Sequence, residues 1–130
     1  MSLARLIRVV LATAVVATAP AHAAEFRKFD RADFAAAQAQ KRPILLDVAA
    51  WWCPVCRSQD STIKETVSAP QYAKLVIFRI DYDKQKDQWK AFGVRKQGTL
   101  IAYRGASEVG RLAFVTDHAQ INTLLAQVVR

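Results

Sequence analysis

The sequence has few side chains of the kinds that bind metal ions. Its 130 residues include only two cysteines, Cys53 and Cys56, and two histidines, His22 and His118. A structural zinc site needs four ligands, and His22 lies in a segment that we predict to be removed, so no such site is expected. Covalent haem attachment requires a histidine directly after the second cysteine, where this chain has Arg57. We therefore predict neither a resident metal nor a cofactor.

Internal repeats, low-complexity tracts and linkers are also lacking, and only the N-terminal region resembles a targeting signal. There, Arg5 and Arg8 precede an apolar run at residues 9–18, and an Ala-His-Ala cleavage signal follows at residues 21–23. This order predicts a cleaved secretory signal peptide over residues 1–23. The run is shorter than the ~20 residues of an ordinary membrane span, so retention as an uncleaved anchor is the weaker alternative. We expect export to a compartment that permits disulfides.

Cleavage would leave residues 24–130, which suffice for one domain with its own core and are too few for two. The formal net charge of +8 would fall to +6, because residues 1–23 contain two arginines and no acid. The remaining basic side chains are interleaved with acids, which is typical of a solvated surface. We expect a monomer that binds no nucleic acid. Acidic partners or anionic membrane surfaces stay open.

The apolar pattern of the mature chain predicts one α/β domain with a small mixed β-sheet and helices on both faces. The predicted strands are residues 44–50, 75–81, 99–103 and 111–115, the last two joined as a hairpin across glycine-containing residues 104–110. The predicted helices are residues 31–41, 54–67, 82–92 and 117–129. Asp30 is the expected N-cap of the first helix, Gly93 the C-cap of the third, and Asp117 with Gln120 a capping box for the last.

The two cysteines lie between a predicted strand and a predicted helix. Cys53 falls at the helix N-terminus, where unpaired N–H groups and the helix dipole stabilise a thiolate and lower its pKa. Pro54 supports this position, because proline is preferred at the first helical residue. Cys53 is therefore the predicted nucleophile and Cys56, one turn deeper and more buried, the resolving thiol. A bridge this short is a weak structural staple, so a redox-active pair is favoured.

Asp47 interrupts the apolar strand six residues before Cys53. A buried, unpaired carboxylate usually stays protonated with a raised pKa, although Asp47 could instead point to the surface. Asp47, Trp52, Cys53 and Cys56, with the preceding strand, resemble the active-site segment of the thioredoxin superfamily. This resemblance implies a thioredoxin fold and thiol-disulfide exchange. It also implies that Asp47 accepts the proton of Cys56 when that thiol attacks a mixed disulfide.

More narrowly, residues 43–75 are similar to the C-terminal periplasmic domain of DsbD-type thiol:disulfide interchange proteins, and the similarity continues loosely to residue 125. It implies a periplasmic enzyme that passes electrons from a membrane donor to the disulfides of secreted proteins. The proline directly after the first cysteine, Pro54, instead resembles the residue at this position in oxidising and glutaredoxin-like members of the superfamily. Because potentials in such proteins range from about −270 to −120 mV, the direction of transfer stays open.

The resemblance also implies a substrate groove beside the cysteine pair, lined by Trp52, Pro54, Gly98 and Thr99. The family usually has a cis-proline directly before this threonine, and Gly98 stands there instead. The bond between residues 97 and 98 is therefore expected to be trans, and the loop less rigid. By a looser match, Phe114 replaces a glycine that flanks the groove and is expected to narrow it.

Two alternatives follow from these departures at Gly98 and Phe114. If they open space beside the thiols, the pair could bind a soft ion such as Cu(I), which would make the protein a copper-handling module. If the groove no longer accepts substrate, the protein would be a redox-inert interaction domain. Of the two tryptophans before the pair, Trp51 is expected to pack in the core, and Trp52 to form an apolar rim that contacts partners. His118 is expected only to decorate the last helix.

Overall fold

The computed structural model describes residues 23–130, which include five strands and four α-helices. The strands are β1 (Glu25–Lys28), β2 (Pro43–Ala49), β3 (Val76–Asp81), β4 (Thr99–Arg104) and β5 (Ser107–Ala113). The helices are α1 (Arg31–Ala39), α2 (Pro54–Thr66), α3 (Lys86–Ala91) and α4 (His118–Val128). None of the described helices is long and apolar enough to cross a bilayer. The predicted signal peptide lies outside this range except for its last residue, so its cleavage stays a prediction.

The five strands form one mixed sheet in the order β1-β3-β2-β4-β5. β1 and β2 both pair parallel with β3, whereas β4 pairs antiparallel with β2 and with β5. β2 lies at the centre, and six of its seven residues are buried, which explains its nearly continuous apolar sequence. The predicted α/β class with a small mixed sheet is confirmed.

Helices cover both faces of the sheet, as the sequence predicts. On one face, Phe34 of α1 and Trp89 of α3 pack with Phe78 of β3. On the other face, Ile63 of α2 and Leu125 of α4 pack over β2 and β4. Because side chains alternate along a strand, the even-numbered residues of β2 face α1 and α3, and its odd-numbered residues face α2 and α4. This alternation directs the side chain at position 47 towards α2.

The predicted N-caps at Asp30 and Asp117 and the glycine after α3 are confirmed, whereas the second bond of a capping box, from the Gln120 side chain to the N–H of Asp117, is not found among residues 23–130. The carboxylate of Asp30 accepts the backbone N–H groups of the second and third residues of α1 at 2.9 and 3.1 Å. The carboxylate of Asp117 accepts the N–H of Gln120 at 2.8 Å. Gly93 follows α3 with a φ of +70°, a backbone conformation that favours glycine. Each cap satisfies backbone groups that the helix itself leaves unpaired.

Two elements near the start and middle of the chain differ from the prediction. β1 was not predicted, because its four residues are mostly exposed and show no apolar alternation; pairing with β3 forms it. α3 begins at Lys86 rather than at residue 82, because residues before it form a turn. In that turn the carboxylate of Asp81 accepts the N–H groups of Asp83 and Lys84, each at 3.0 Å.

The position predicted for the last strand is wrong. β5 spans Ser107–Ala113 rather than residues 111–115, because Arg104 pairs with Ser107 and leaves a connection of only two residues. Gly105 supplies the turn with a φ of +56°. Gly110, which indicated a turn in the sequence, lies inside β5. A Cβ there would meet Leu124 of α4 at 2.8 Å, so this glycine marks a close approach of helix and strand.

Candidate active site

The two cysteines form a disulfide at the N-terminus of α2, with their Cα atoms 5.2 Å apart. Cys53 is the N-cap residue, and its Sγ accepts the backbone N–H of Cys56 at 3.1 Å. Pro54 is the first helical residue, as predicted. Once the disulfide is reduced, this N–H and the helix dipole stabilise a thiolate at Cys53. The local geometry is therefore suited to a nucleophilic first cysteine.

Both cysteines are buried, but not in the predicted order. Cys53 is 1 % exposed and Cys56 is 5 % exposed, so the prediction that Cys56 is the more deeply buried is wrong for the oxidised protein. The sulfurs pack in a small cluster with Ala49 and Ala50, against which Tyr82 lies. Cys56 also lines an open cavity of about 640 Å³, whereas Cys53 does not border it.

The carboxylate of Asp47 is buried, as predicted, but it is not unpaired. Arg79, its direct neighbour in the register of β2 and β3, donates from Nη2 at 2.7 Å and from Nε at 3.1 Å to Oδ2 of Asp47. The other oxygen, Oδ1, has no hydrogen-bond partner among residues 23–130. Arg79 was missed in the sequence, although it interrupts an apolar strand as Asp47 does. Only the strand register shows that the two interruptions are adjacent.

Arg79 also joins Asp47 to helix α2. Its Nη2 donates to Oδ1 of Asp60 at 2.6 Å. Asp60 forms a second ion pair through Oδ2 with Nζ of Lys64, also at 2.6 Å. Burial raises the pKa of Asp47 and outweighs the opposing effect of Arg79. Burial also acts upward on Asp60, but hydrogen bonds from Lys64 and Arg79 hold the pKa of Asp60 below its ordinary value. Asp60 lies one turn after Cys56, so this network reaches the helix that carries the resolving cysteine.

The peptide bond before Gly98 is trans, as predicted, since residues 23–130 contain no cis peptide bond. Three hydrogen bonds fix the backbone of Gly98. Its N–H donates to the carbonyl of Val48 at 2.7 Å, and its own carbonyl accepts from the N–H of Phe114 at 2.8 Å and from Nε2 of Gln59 at 2.9 Å. These bonds compensate for the rigidity that a glycine was expected to remove.

The ring of Phe114 occupies the space beside Gly98. A Cβ at Gly98 would lie 3.2 Å from Cδ2 of Phe114 and 3.3 Å from Cγ1 of Val55. Phe114 therefore lies where the sequence interpretation places it, beside Gly98, and its effect on the width of a substrate groove stays a prediction. The space expected next to Gly98 is occupied by this ring and by Val55. Phe114 has a φ of +59°, rare for a bulky residue, and Nζ of Lys96 lies 3.6 Å from its ring centroid.

Gln59 is a buried polar residue of α2 that the sequence interpretation missed. Its Nε2 donates to the carbonyls of Gly98 and Val115, both at 2.9 Å, so one amide holds the two segments that contain Gly98 and Phe114. Its Oε1 has no hydrogen-bond partner within the described part of the chain. A polar residue one turn after the cysteine pair, on the face of α2 that packs on the sheet, is the signal that could have identified it.

The two tryptophans before the cysteine pair are both exposed. Trp51 is 86 % exposed, so the prediction that it packs in the core is wrong; it lies in the turn after β2 rather than in the buried strand. Trp52 is 42 % exposed, and its Nε1 donates to Asp83 at 3.0 Å. An indole anchored by its polar end keeps an apolar edge in solvent, which agrees with a rim that contacts partners.

The remaining predicted groove residues differ in exposure. Pro54 is exposed beside the disulfide, whereas Thr99 is buried and its hydroxyl donates to the carbonyl of Lys96 at 2.7 Å. The Thr99 side chain thus stabilises the loop before β4. His118 is exposed at the start of α4, as expected.

Thiol-disulfide exchange needs a cysteine pair at a helix N-terminus and a fold that holds it next to a surface for a second sulfur compound. This chain meets both conditions, and it is a thiol-disulfide oxidoreductase with a thioredoxin fold. The family model described as Thioredoxin matches residues 25–127. The chain belongs to the thioredoxin family.

Two relatives among characterised proteins match this chain over most of their own length. The thioredoxin of Alicyclobacillus acidocaldarius is 27 % identical over 99 residues, which are 76 % of this chain and 93 % of the relative. Thioredoxin-1 of Drosophila melanogaster is 27 % identical over 92 residues, or 71 % and 84 % of the two chains.

Solved structures agree with this assignment. The crystal structure of Trxlp from Edwardsiella tarda EIB202 has a TM-score of 0.75 and 35 % identity, and the match covers 78 % of this chain and 98 % of that one. The thioredoxin of Malassezia sympodialis has a TM-score of 0.71 at 15 % identity, over 84 % and 97 % of the two chains, which shows the fold alone.

Proposed function

We propose that the protein is a periplasmic oxidoreductase that reduces disulfides in secreted proteins with electrons from a membrane donor. The N-terminal pattern of residues 1–23 and the similarity of residues 43–75 to the DsbD-type domain support this proposal. The observation that carries the thiol-disulfide chemistry of this proposal is the position of Cys53 as the N-cap of α2, where its sulfur accepts a backbone N–H. Such a sulfur is a stabilised thiolate in the reduced protein, and the thiolate is the species that attacks disulfides.

In the first step, the Cys53 thiolate attacks one sulfur of the substrate disulfide. A bond forms between Cys53 and that sulfur, the substrate S–S bond breaks, and the second substrate sulfur leaves as a thiolate. The product is a mixed disulfide between Cys53 and the substrate.

In the second step, Cys56 gives its proton to Asp47 and its thiolate attacks the sulfur of Cys53. The intramolecular disulfide forms, and the remaining substrate sulfur leaves as a thiolate. A buried carboxylate with a raised pKa suits this transfer near neutral pH. Arg79 binds Oδ2 of Asp47 and leaves Oδ1 to accept the proton. A dithiol donor then returns two electrons to the protein.

A glutathione redox titration, followed through the fluorescence of Trp51 and Trp52, tests the direction of transfer. We expect a reversible midpoint between about −270 and −220 mV, as in reducing family members. A midpoint near about −120 mV would make the protein an oxidant instead. A protein without a reversible transition would contradict the oxidoreductase mechanism itself.

A trapping experiment tests the roles of the two cysteines and the location. We expect a Cys56→Ser variant to accumulate mixed disulfides with exported proteins, because the resolving thiol is missing. The matched Cys53→Ser variant should trap none. Fractionation of cells that produce the full chain, or a chain without residues 1–23, should place only the former in the periplasm. Equal recovery of both in the cytoplasm would refute the proposed location.

The two alternatives have less support. The space expected beside Gly98 for a copper ion is occupied by the Phe114 ring. Membership of the thioredoxin family and the intact cysteine pair argue against a redox-inert domain.

A further inference from the structure

The cavity beside Cys56 lies between helix α2 and the β1–β3 edge of the sheet. Its volume is about 640 Å³, and it is open to solvent. Phe26 of β1 and Trp51, which are 47 % and 86 % exposed, contribute aromatic surface to its lining. Exposed aromatic side chains of this size are a common feature of protein contact surfaces. The cavity therefore combines aromatic surface with the Cys56 end of the disulfide.

The charges that line this cavity are mostly positive. Five basic side chains contribute to it, against the two acidic side chains of Asp60 and Asp81. Asp60 is neutralised by ion pairs with Arg79 and Lys64. Arg27 pairs with Glu25 outside the cavity lining. The charged lining residues that form no salt bridge within residues 23–130 are the basic Lys28 and Arg57 and the acidic Asp81, so one unpaired positive charge remains in excess. Arg57 is also tethered beside the disulfide, since its Nη1 donates to the carbonyl of Trp51 at 3.5 Å.

On the other side of the disulfide, the backbone of Gly98 is closely surrounded by side chains. There the Phe114 ring and the Val55 side chain fill the region next to Gly98. The Cys56 side differs, because an open cavity lined by the basic side chains of Lys28 and Arg57 borders that cysteine. Charge complementarity thus identifies the kind of partner that the cavity fits.

We propose that this cavity is the docking surface for an acidic polypeptide segment of the redox partner. The inference rests on the proposed function in one respect, since the segment belongs to a protein that exchanges electrons with Cys53 and Cys56. Carboxylates of the segment pair with Lys28 and Arg57, and its apolar side chains contact Phe26 and Trp51. Contacts of this kind raise the rate of encounter and select acidic partners over neutral ones.

The test is a binding titration of the oxidised protein, followed by the NMR shifts of its backbone amides. Two synthetic peptides of equal length and without cysteine are compared, one rich in glutamate and one with glutamine at the same positions. We expect the glutamate peptide to bind about fivefold more tightly at low salt and to shift the amides of Phe26, Lys28 and Arg57. High salt should remove the preference, because exposed charges are screened.

A double variant, Lys28→Glu with Arg57→Glu, should lose the preference for the acidic peptide. The matched control is the double variant Arg104→Glu with Arg130→Glu, which changes the net charge by the same amount at two exposed residues away from the cavity and should keep the preference. If the control lost the preference for the glutamate peptide to the same extent, the net charge of the protein would explain the effect, and the proposal would be overturned. Amide shifts confined to the two segments that contain Lys96 and Phe114, or no amide shifts at all, would also overturn the proposal.

This experiment is independent of the redox chemistry, because neither peptide contains cysteine. Docking by a protein without a reversible redox transition would refute the proposed function and retain the cavity as a binding surface. A normal redox titration together with no preference between the peptides would refute only the docking surface.

Discussion

The two sides of the disulfide differ in what holds them and in what they leave exposed. On the Gly98 side, formed by Gln59, Lys96, Gly98, Phe114 and Val115, neutral hydrogen bonds fix the backbone and a ring fills the space. On the cavity side, ion pairs of Arg79 hold the buried carboxylate, and the surface stays open. One side is therefore built as a rigid support. The other links the buried carboxylate of Asp47, the proposed proton acceptor, through Arg79 to the surface to which a partner has access.

Gln59 and Arg79 are the side chains that hold the two sides of the disulfide. Each side chain links two elements next to the cysteines by binding two oxygen atoms from different segments. Gln59 is fully buried and neutral, so its loss should cost stability at every pH. Arg79 is partly exposed and binds two carboxylates, so the effect of its network should depend on pH. Substitutions on the two sides should therefore differ in how strongly their effect on stability depends on pH.

The largest effect is expected for Gln59→Leu. The substitution leaves the carbonyls of Gly98 and Val115 buried without the amide donor, which should lower the free energy of unfolding by roughly 2–3 kcal/mol. Urea unfolding at two pH values measures it, and the loss should be the same at both. Arg57→Gln, an exposed neighbour on the same helix, should change stability by less than about 0.5 kcal/mol. Equal effects of the two substitutions would contradict the support role of Gln59.

Gly98→Ala should come next, with a loss of about 1–2 kcal/mol. One cause is the φ of +75° at this residue, and the other is the contact of the new Cβ with Phe114 and Val55. A double-mutant cycle with Phe114→Ala separates the two, because shortening Phe114 removes only the contact. Additive losses in the cycle would show that the Phe114 ring does not fill this space.

Asp47→Asn should stabilise the protein at pH 8 and have little effect near pH 4. The pKa of Asp47 is raised by folding, so with rising pH the unfolded chain loses this proton before the folded protein does. The stability of the unmodified protein therefore falls between the ordinary and the raised pKa, and asparagine removes that loss. Urea unfolding at several pH values measures the difference.

Asp60→Asn is the matched control with the opposite sign. The pKa of Asp60 is lowered, so its contribution is present above the ordinary carboxyl pKa and lost as the pH falls through the lowered value. Its removal should destabilise the protein at pH 8. A gain in stability from both substitutions at pH 8 would refute the charge network.

The smallest effect is expected for Phe114→Gly. Glycine accepts the φ of +59° without strain and opens the Gly98 side, so the rate with a bulky protein disulfide should rise about two- to fivefold. The rate of reduction of a small disulfide such as hydroxyethyl disulfide should stay unchanged in this variant. Lys41→Gly is the control, because Lys41 also has a positive φ of 56° but lies at the far end of the sheet. An equal change in both variants would point to backbone strain alone.

The sequence was sufficient for features that depend on neighbouring residues. The N-cap position of Cys53, the burial of Asp47 and the caps at Asp30 and Asp117 all follow from local pattern, and the structure confirms them. The family resemblance is confirmed at the level of the thioredoxin family. Catalytic roles and location stay predictions.

Features that depend on strand register or on distant packing could not be predicted in this way. Arg79 lies 32 residues from Asp47, and only the pairing of β2 with β3 makes them neighbours. Gly110 indicated a turn in the sequence, but a glycine is needed there because α4 passes close to β5. The residues around Gly110 in the sequence do not show this contact. Trp51 was assigned to the core for its size, and the turn after β2 exposes it instead.

The N-cap position of Cys53 also links folding to redox state through a thermodynamic cycle. The cysteines are only three residues apart, so they are close neighbours in the unfolded chain as well. Helix α2 adds a stabilisation that acts on the reduced form, because the N–H of Cys56 can stabilise a thiolate. Stabilising that form lowers the effective concentration of one thiol at the other in the folded protein. Taken alone, this stabilisation makes the disulfide easier to reduce in the folded protein than in the unfolded chain. A midpoint between about −270 and −220 mV would therefore show that the folded protein holds the two sulfurs together strongly enough to outweigh it.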